Sequence, residues 1–367
     1  MGGGISGALA AHYLIKNGID CVLIDGRTIG LGSTCASTSL LQYEIDVPLS
    51  ELQHKIGKDS AVSAYRQCAE AIDILHDIAK TIGVSQFESK QSLYYAARKG
   101  DLAFLQKEFD IRKENGFDVS LLGEKEVASQ FGINAPGAIL STKAAQTNAY
   151  TFTHALLQYN LKKGLQVYDR TKANTISHNK NGVTVKTDRG QRITAAKMIY
   201  ANGYEAVNYI DKKIVKLTST YAVSSEQIGQ DFPIDAGTVY WSTADPYLYI
   251  RSTEDNRILV GGRDEEFYNP ARRDKLIIKK SLSLAKDYKK IFDKKIFNLE
   301  FSWAGTFGST EDGLPFIGNY KKLPNGYFAL GFGGNGITFS LIAAKILSDL
   351  MKGKQKSDDK MFSFDRI

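Results

Sequence analysis

The stretch that decides the fold is Met1-Gly2-Gly3-Gly4-Ile5-Ser6-Gly7, in which Gly2, Gly4 and Gly7 spell G-x-G-x-x-G. Residues 5–17 read as an amphipathic helix ended by Gly18, and Ile19-Asp20-Cys21-Val22-Leu23-Ile24 reads as a buried strand closed by Asp25. In such a unit Gly2 allows a tight turn, Gly4 lets a pyrophosphate approach the backbone, and Gly7 lets the helix pack closely on a neighbouring strand. The helix N-terminus supplies unpaired N–H donors and partial positive charge. A carboxylate about 20 residues beyond the glycines, here Asp25, can accept both hydroxyls of an adenosine ribose. The expectation is dinucleotide binding on a Rossmann-like α/β sheet.

A βαβ unit needs a strand of about five residues before its glycines, and here only Met1 precedes them. The first strand of the Rossmann sheet is therefore expected to be missing from this chain and to be encoded upstream.

The chain has 367 residues, 43% apolar and 24% charged, an ordinary globular composition with length for two or three domains. Its formal charge of +7 is spread out. The densest basic run, Arg272 to Lys295, also carries Leu276, Ile277, Leu284, Tyr288 and Ile291 at helical spacing, so it reads as a solvated helix face and not as a nucleic-acid stripe. Cys21, Cys35 and Cys68 form no C-x-x-C pair, which fits a reducing compartment, and the five histidines form no metal-ligand spacing. No apolar run reaches about 18 residues, so no integral membrane segment is expected and the cytoplasm is the expected location.

Helices are expected at 59–82, 102–114, 124–130 and 150–163, and a short strand at 93–97. A hairpin joins 173–178 to 183–187 through Asn179-Lys180-Asn181-Gly182, with the Asn-Gly step marking the turn. Residues 197–201 form another buried strand, running into Asn202-Gly203-Tyr204. Strands at 214–223, 238–242, 246–252 and 257–262 alternate at period two and read as an antiparallel platform, on which Tyr247, Tyr249 and Arg251 share a face.

The last 60 residues hold a second cradle. Strand 326–330 leads into Gly331-Phe332-Gly333-Gly334-Asn335-Gly336 and then into an apolar helix, 337–351. Four glycines in six residues exceed what a turn requires and point to close backbone approach to a planar group. The Gly26–Ser39 run, dominated by small and hydroxyl residues, lies next to the first cradle in sequence and is read as a ligand-contacting loop.

Together these pieces resemble the glycine/D-amino acid oxidase family of FAD-dependent oxidoreductases over nearly the whole chain. The likeness rests on GGGISG with Asp25, on GLGSTCASTSLLQ, on Ala201-Asn202-Gly203-Tyr204-Glu205, on Thr310-Glu311-Asp312-Gly313-Leu314-Pro315-Phe316-Ile317-Gly318, and on GFGGNGIT. The resemblance implies a discontinuous FAD-binding domain from residues 1–85, 145–212 and 303–367, with an inserted antiparallel-sheet α+β substrate domain from 86–144 and 213–302. It places the ribose on Asp25 and the diphosphate on Gly4, Ile5, Ser6 and Gly7 and on Ser33-Thr34. It places the adenine near Ala173, and the flavin ring near Ser39 and Gly333, Gly334, Asn335, Gly336, Ile337 and Thr338. Gly2, Gly26, Arg27, Gly32, Asn202 and Gly203 are counted with these.

The implied chemistry is hydride removal from a carbon bearing an amine or hydroxyl, delivered to flavin N5, with electrons then passed to oxygen or another acceptor. The positive end of helix 337–351 would favour the negative charge that develops at flavin N1 and C2=O. Phe307 stands where glycine and D-amino acid oxidases commonly have a substrate-binding arginine, and no cysteine occurs in Phe307-Gly308-Ser309-Thr310, where sarcosine-oxidase relatives attach their flavin covalently. Noncovalent FAD is therefore expected. The expected substrate contacts are Arg251, Tyr249 and Tyr247, the first as a bidentate grip on a carboxylate. Trp241, Tyr221 and Trp303 either wall the pocket or fill the core. The expected function is oxidation of a C–N bond in a small amine, amino acid or N-alkyl amino acid. An FAD-dependent hydroxy-acid or polyol-phosphate dehydrogenase, and a noncatalytic nucleotide-binding or interaction protein, stand as alternatives.

Overall fold

The computed structural model describes residues 1–229, 232–293 and 297–366. Lys294 and Lys295, the end of the basic run, lie outside them. The fold is a mixed α/β arrangement of helices against one large curled sheet and several small ones.

The first helix, Ile5–Lys16, starts directly on the glycine turn and is buried along Ala8, Leu9, Ala10 and Ala11. It packs against the last long helix, Gly336–Met351, whose buried residues include Phe339, Leu341, Ile342, Ala343 and Leu347. Short alanines on the first helix let the two axes come close, and the leucines on both fill the seam. The 25-residue helix Lys58–Ile82 lies against the same core, framed by Gly57 and by Gly83 in the left-handed conformation. The chain ends are thus brought together by the burial of apolar surface, not by any sequence-local contact.

Two small sheets flank the first helix. Val22–Ile24 pairs in parallel with Gln166–Tyr168, and Met198–Tyr200 pairs in parallel with Gly326–Leu330, which in turn pairs with Phe316–Asn319. Met1 lies between them: its amino group donates to the Ile199 carbonyl at 2.8 Å, its carbonyl accepts from the Ala201 amide at 2.9 Å, and the Gly2 amide donates to the Ile24 carbonyl at 2.9 Å. Met1 therefore fills a ladder position shared by the two sheets.

The platform is a nine-stranded sheet, ordered Leu299–Ser309, Lys216–Ser225, Ile258–Glu265, Tyr249–Ser252, Thr238–Ser242, Glu88–Tyr95, Gly137–Gln146, Leu40–Gln42, with Val119–Gly123 also pairing on Gly137–Gln146. It is not purely antiparallel as expected: Thr238–Ser242 runs parallel to Glu88–Tyr95. Thr238–Ser242 is buried along its whole length, as a strand covered on both faces must be. Strand Gly137–Gln146, strand Val119–Gly123 and helix Leu49–Ile56 had no expected counterpart. In the Ala173–Asn179 to Gly182–Thr187 hairpin, Asn179 faces Gly182, so the loop residues are Lys180 and Asn181. The Asn179 side chain, accepting from the Asn181 amide at 2.8 Å, makes this turn where an Asn-Gly turn was expected.

A buried ionic cluster joins the platform to the helical core. Glu108 accepts the Leu49 and Ser50 amides at 2.9 and 2.8 Å, capping helix Leu49–Ile56 from another helix, and accepts from Arg112 Nε at 2.7 Å. Arg112 also reaches Glu44 at 3.4 Å and sits among the Tyr43, Tyr65 and Tyr94 rings. Burial alone would raise the Glu108 carboxyl, but the Arg112 guanidinium and the Ser50 bonds hold it below the usual range. Replacing one member leaves an uncompensated buried charge. Glu108→Gln is therefore expected to lower stability by about 3–5 kcal/mol, read from the shift in urea midpoint at constant slope; a change within about 0.5 kcal/mol, the range of ordinary surface substitutions, would show that the cluster does not hold the fold.

Candidate active site

The glycine turn is shaped by close backbone contacts. Gly2 has φ +107°, and a side chain there would meet the Ala201 carbonyl at 2.3 Å. Gly7 lies against the Gly2 carbonyl, 1.8 Å from where a Cβ would stand, so its small size serves the turn itself more than a neighbouring strand. Thr34, from the loop after Asp25, accepts the Ile5 amide on its Oγ1 at 3.0 Å and so caps one orphan donor of the first helix turn. Asp25 accepts the Gly3 amide at 2.6 Å on one oxygen and the Arg27 amide at 2.7 Å on the other. The carboxylate is fixed in place with lone pairs left to accept further bonds.

The second turn is built likewise. Asn335 donates from Nδ2 to the Glu44 carbonyl at 2.7 Å and to the Gln42 carbonyl at 3.3 Å, which ties the start of helix Gly336–Met351 to the strand Leu40–Gln42. Ser6 and Ser340 share a hydrogen bond of 2.7 Å, so the first turns of the two helices are side by side. Both glycine turns open onto one cavity of about 560 Å³.

Of the residues expected to hold a cofactor, Gly2, Gly4, Ile5, Ser6, Asp25, Gly26, Arg27, Gly32, Ser33, Thr34, Ser39, Ala173, Asn202, Gly203, Gly333, Gly334, Asn335, Gly336 and Ile337 line this cavity. Gly7 and Thr338 do not line it. Gly7 is inside the helix turn, and the buried Thr338 hydroxyl donates to the Asn335 carbonyl at 2.9 Å, which stabilises the turn from behind.

Tyr247 and Tyr249 line the other end together with Trp241 and Phe307. The Trp241 ring stacks on Tyr94 at 3.7 Å and meets Tyr247 edge-on at 6.4 Å, and Tyr247 lies 5.9 Å from Tyr249. Arg251 is corrected by the structure. It lies outside the cavity wall, with Nε on the Thr38 carbonyl at 2.5 Å and Nη1 on the Ser252 carbonyl at 2.8 Å. Its guanidinium is buried and depressed to about 10 by that burial, and it braces the loop that carries Ser39. Tyr221 and Trp303 also lie off the wall, and Trp303 Nε1 donates to the Ala36 carbonyl at 2.9 Å.

Three carboxylates in the wall were not singled out from the sequence: Glu44, Asp46 and Asp264. Glu44 is paired with Arg112 and is raised by burial. Asp46 accepts the Gly334 amide at 2.6 Å and the Tyr247 hydroxyl at 3.2 Å, and burial raises its pKa against these bonds. Asp264 is raised to about 6, first by burial and then by Asp46, opposed by the Thr220 hydroxyl and Lys280. In sequence Asp264 sits in Arg263-Asp264-Glu265-Glu266, an acidic run without a sign of which member turns inward.

The cavity fits a bipolar planar ligand on its own geometry. A Cβ on Gly4 would stand 2.6 Å from Thr34 Oγ1, so the glycine leaves room that any other residue would fill, and the buried Asn202 Oδ1 in the wall has no hydrogen-bond partner. No group of His, Cys, Asp or Glu suited to a metal occurs among the described residues, and no helix among them is long and apolar enough to cross a membrane.

Comparison with known proteins agrees with this geometry. The chain is 23% identical to the gamma-glutamylputrescine oxidoreductase of Escherichia coli strain K12, over 98% of this chain and 84% of that protein. Its fold matches glycine oxidase from Geobacillus kaustophilus with a TM-score of 0.85 at 19% identity, covering 100% of this chain and 97% of that one. It also matches L-proline dehydrogenase from P. horikoshii with a TM-score of 0.84 at 20% identity, covering 100% and 96%. The model of the DAO family, described as FAD dependent oxidoreductase, matches residues 1–350, and the chain belongs to that family of flavoenzymes.

Proposed function

We propose that this chain binds FAD noncovalently along the cavity and oxidises a C–N bond of a small amine, amino acid or N-alkyl amino acid, a reading supported by its likeness to gamma-glutamylputrescine oxidoreductase, glycine oxidase and iminodiacetate oxidase. The observation that carries the reading is that both glycine turns and the aromatic wall of Trp241, Tyr247 and Tyr249 face a single cavity. The ribose end falls to Asp25, the diphosphate to the amides of Gly4 to Ser6 and to Ser33 and Thr34, and the adenine to Ala173. The ring falls to Ser39 and to the turn Gly333 to Ile337.

Bound FAD supplies the hydride acceptor; the protein's share is placement and electrostatics. The N-terminus of helix Gly336–Met351 points at the cavity and favours negative charge there. The aromatic wall excludes water from the reacting carbon and orients it. Electrons leave to oxygen or to another acceptor. Residues 1–85, 145–212 and 303–367 act as the cofactor domain, and 86–144 with 213–302 as the substrate domain, the sheet strand Leu299–Ser309 running across the junction.

No cysteine or histidine occurs in the cavity wall among the described residues, so heat or acid precipitation of the FAD-loaded protein is expected to leave the yellow chromophore in the supernatant; a yellow pellet under a colourless supernatant would contradict noncovalent binding. Gly4→Val would push a branched side chain against Thr34, and the ratio of flavin to protein absorbance is expected to fall about tenfold or more, on the scale of one lost close polar approach. Anaerobic mixing with amines, amino acids, hydroxy acids and glycerol phosphate tests the reaction itself. Bleaching of the flavin band by a nitrogen compound is the expected result, and bleaching by hydroxy compounds alone would reassign the chemistry.

A further inference from the structure

We infer that the substrate end of the cavity selects a cationic amine that carries no carboxylate, with Asp264 as its anionic anchor and the rings of Trp241, Tyr247 and Tyr249 around the ammonium group. This inference rests on the cavity being the substrate site of the flavoenzyme, and it specifies which of the nitrogen compounds that site takes.

The distribution of charge along the wall carries the argument. Among the described residues of the wall the cations are Arg27 and Lys172, and both belong to the Asp25 end: Arg27 pairs with Glu205 at 3.3 Å, and Lys172 packs on Gly26. The aromatic end holds carboxylates instead. Glu44 is matched by Arg112, and Asp46 is bonded to the Gly334 amide and the Tyr247 hydroxyl, which are neutral donors. Asp264 makes no ion pair among the described residues, and its buried Oδ1 has no hydrogen-bond partner.

The cations on neighbouring elements already have partners, and of them Lys280 acts on Asp264 through space, lowering its carboxyl against burial. Lys280 pairs with Glu265 at 2.6 Å and donates to the Arg263 carbonyl at 2.9 Å. Arg273 donates to Thr306 Oγ1 at 3.0 Å and pairs with Asp274 at 2.8 Å. Arg251 is held by the Thr38 and Ser252 carbonyls. A substrate carboxylate placed here would meet like charge without a counterion, in a partly dry site where repulsion is weakly screened.

The rings point to the same guest independently. Three aromatic side chains set 5.9–6.4 Å apart in sequence of contact, the first locked by stacking on Tyr94, present π faces and edges around one small volume. Such a wall with a carboxylate behind it recognises ammonium groups, and it gives a carboxylate nothing to pair with. Phe307, also in the wall, adds an apolar surface for the alkyl part of the amine.

The test uses two probes of the same size and opposite charge, benzyltrimethylammonium and benzoate, titrated calorimetrically into the FAD-loaded protein. The ammonium is expected to bind at least about tenfold more tightly, the scale of one charge-assisted contact. Asp264→Asn is expected to erase that preference and Asp264→Glu to restore most of it, with unchanged flavin absorbance reporting that the cavity is intact. Phe307→Arg, which keeps Asp264, is expected to admit benzoate. Tighter binding of benzoate, equal binding, no binding of either probe, or an ammonium preference indifferent to Asp264→Asn would each overturn the inference. Failure of the oxidase reading shows separately, as a flavin that no nitrogen compound bleaches even while the ammonium probe binds.

Discussion

Two helix N-termini held side by side are the constraint on which the structure depends. Helices Ile5–Lys16 and Gly336–Met351 begin on glycine turns from opposite ends of the chain, and their first turns meet at the Ser6–Ser340 hydrogen bond. Unpaired amides and aligned peptide dipoles make each terminus a site for negative charge. Placing two of them on one cavity suits a long ligand with a diphosphate near one end and a reducible ring at the other. Buried apolar surface along the helix seam holds them there, so the ligand site and the hydrophobic core are parts of one construction.

Everything at the aromatic end is positioned from a distance. The platform strand bearing Tyr249 is braced by Arg251, whose guanidinium bonds the Thr38 carbonyl and so links the platform to the loop along the cavity. Glu44 belongs both to the cavity wall and to the buried cluster with Arg112 and Glu108, which caps helix Leu49–Ile56. A buried charge network of this kind contributes little net stability but is costly to break, and so it restrains the wall it touches. Arg251, Arg112 and Glu108, which do not line the cavity, thus help to hold its aromatic end.

The residues legible in the sequence were those whose chemistry is local. A glycine turn, the helix it starts and an acid about 20 residues later form a pattern within one short segment, which could be read without knowing what lay opposite. The same holds for the turn Gly331–Gly336, whose glycines directly precede the helix they start. What failed had non-local causes. Strand Gly137–Gln146 pairs with three other strands of the nine-stranded sheet yet carries small and polar residues, Gly137, Ala138, Ser141, Thr142 and Lys143, with no marked alternation. The platform was expected to be antiparallel, but the parallel joint between Thr238–Ser242 and Glu88–Tyr95 joins strands almost 150 residues apart, a pairing no local period encodes.

The sequence by itself determined the two glycine turns, the helices behind them and the kinship to the FAD-dependent oxidoreductases, because each of these is written in steric requirements of neighbouring residues. Only the tertiary structure decided that Arg251 would be spent on carbonyls, and that Asp46 and Asp264 would turn into the cavity. Whether a charged side chain becomes a brace, a surface ion or a substrate anchor depends on which distant groups surround it. Desolvation and counterions act through space, and the order of residues along the chain does not carry that information.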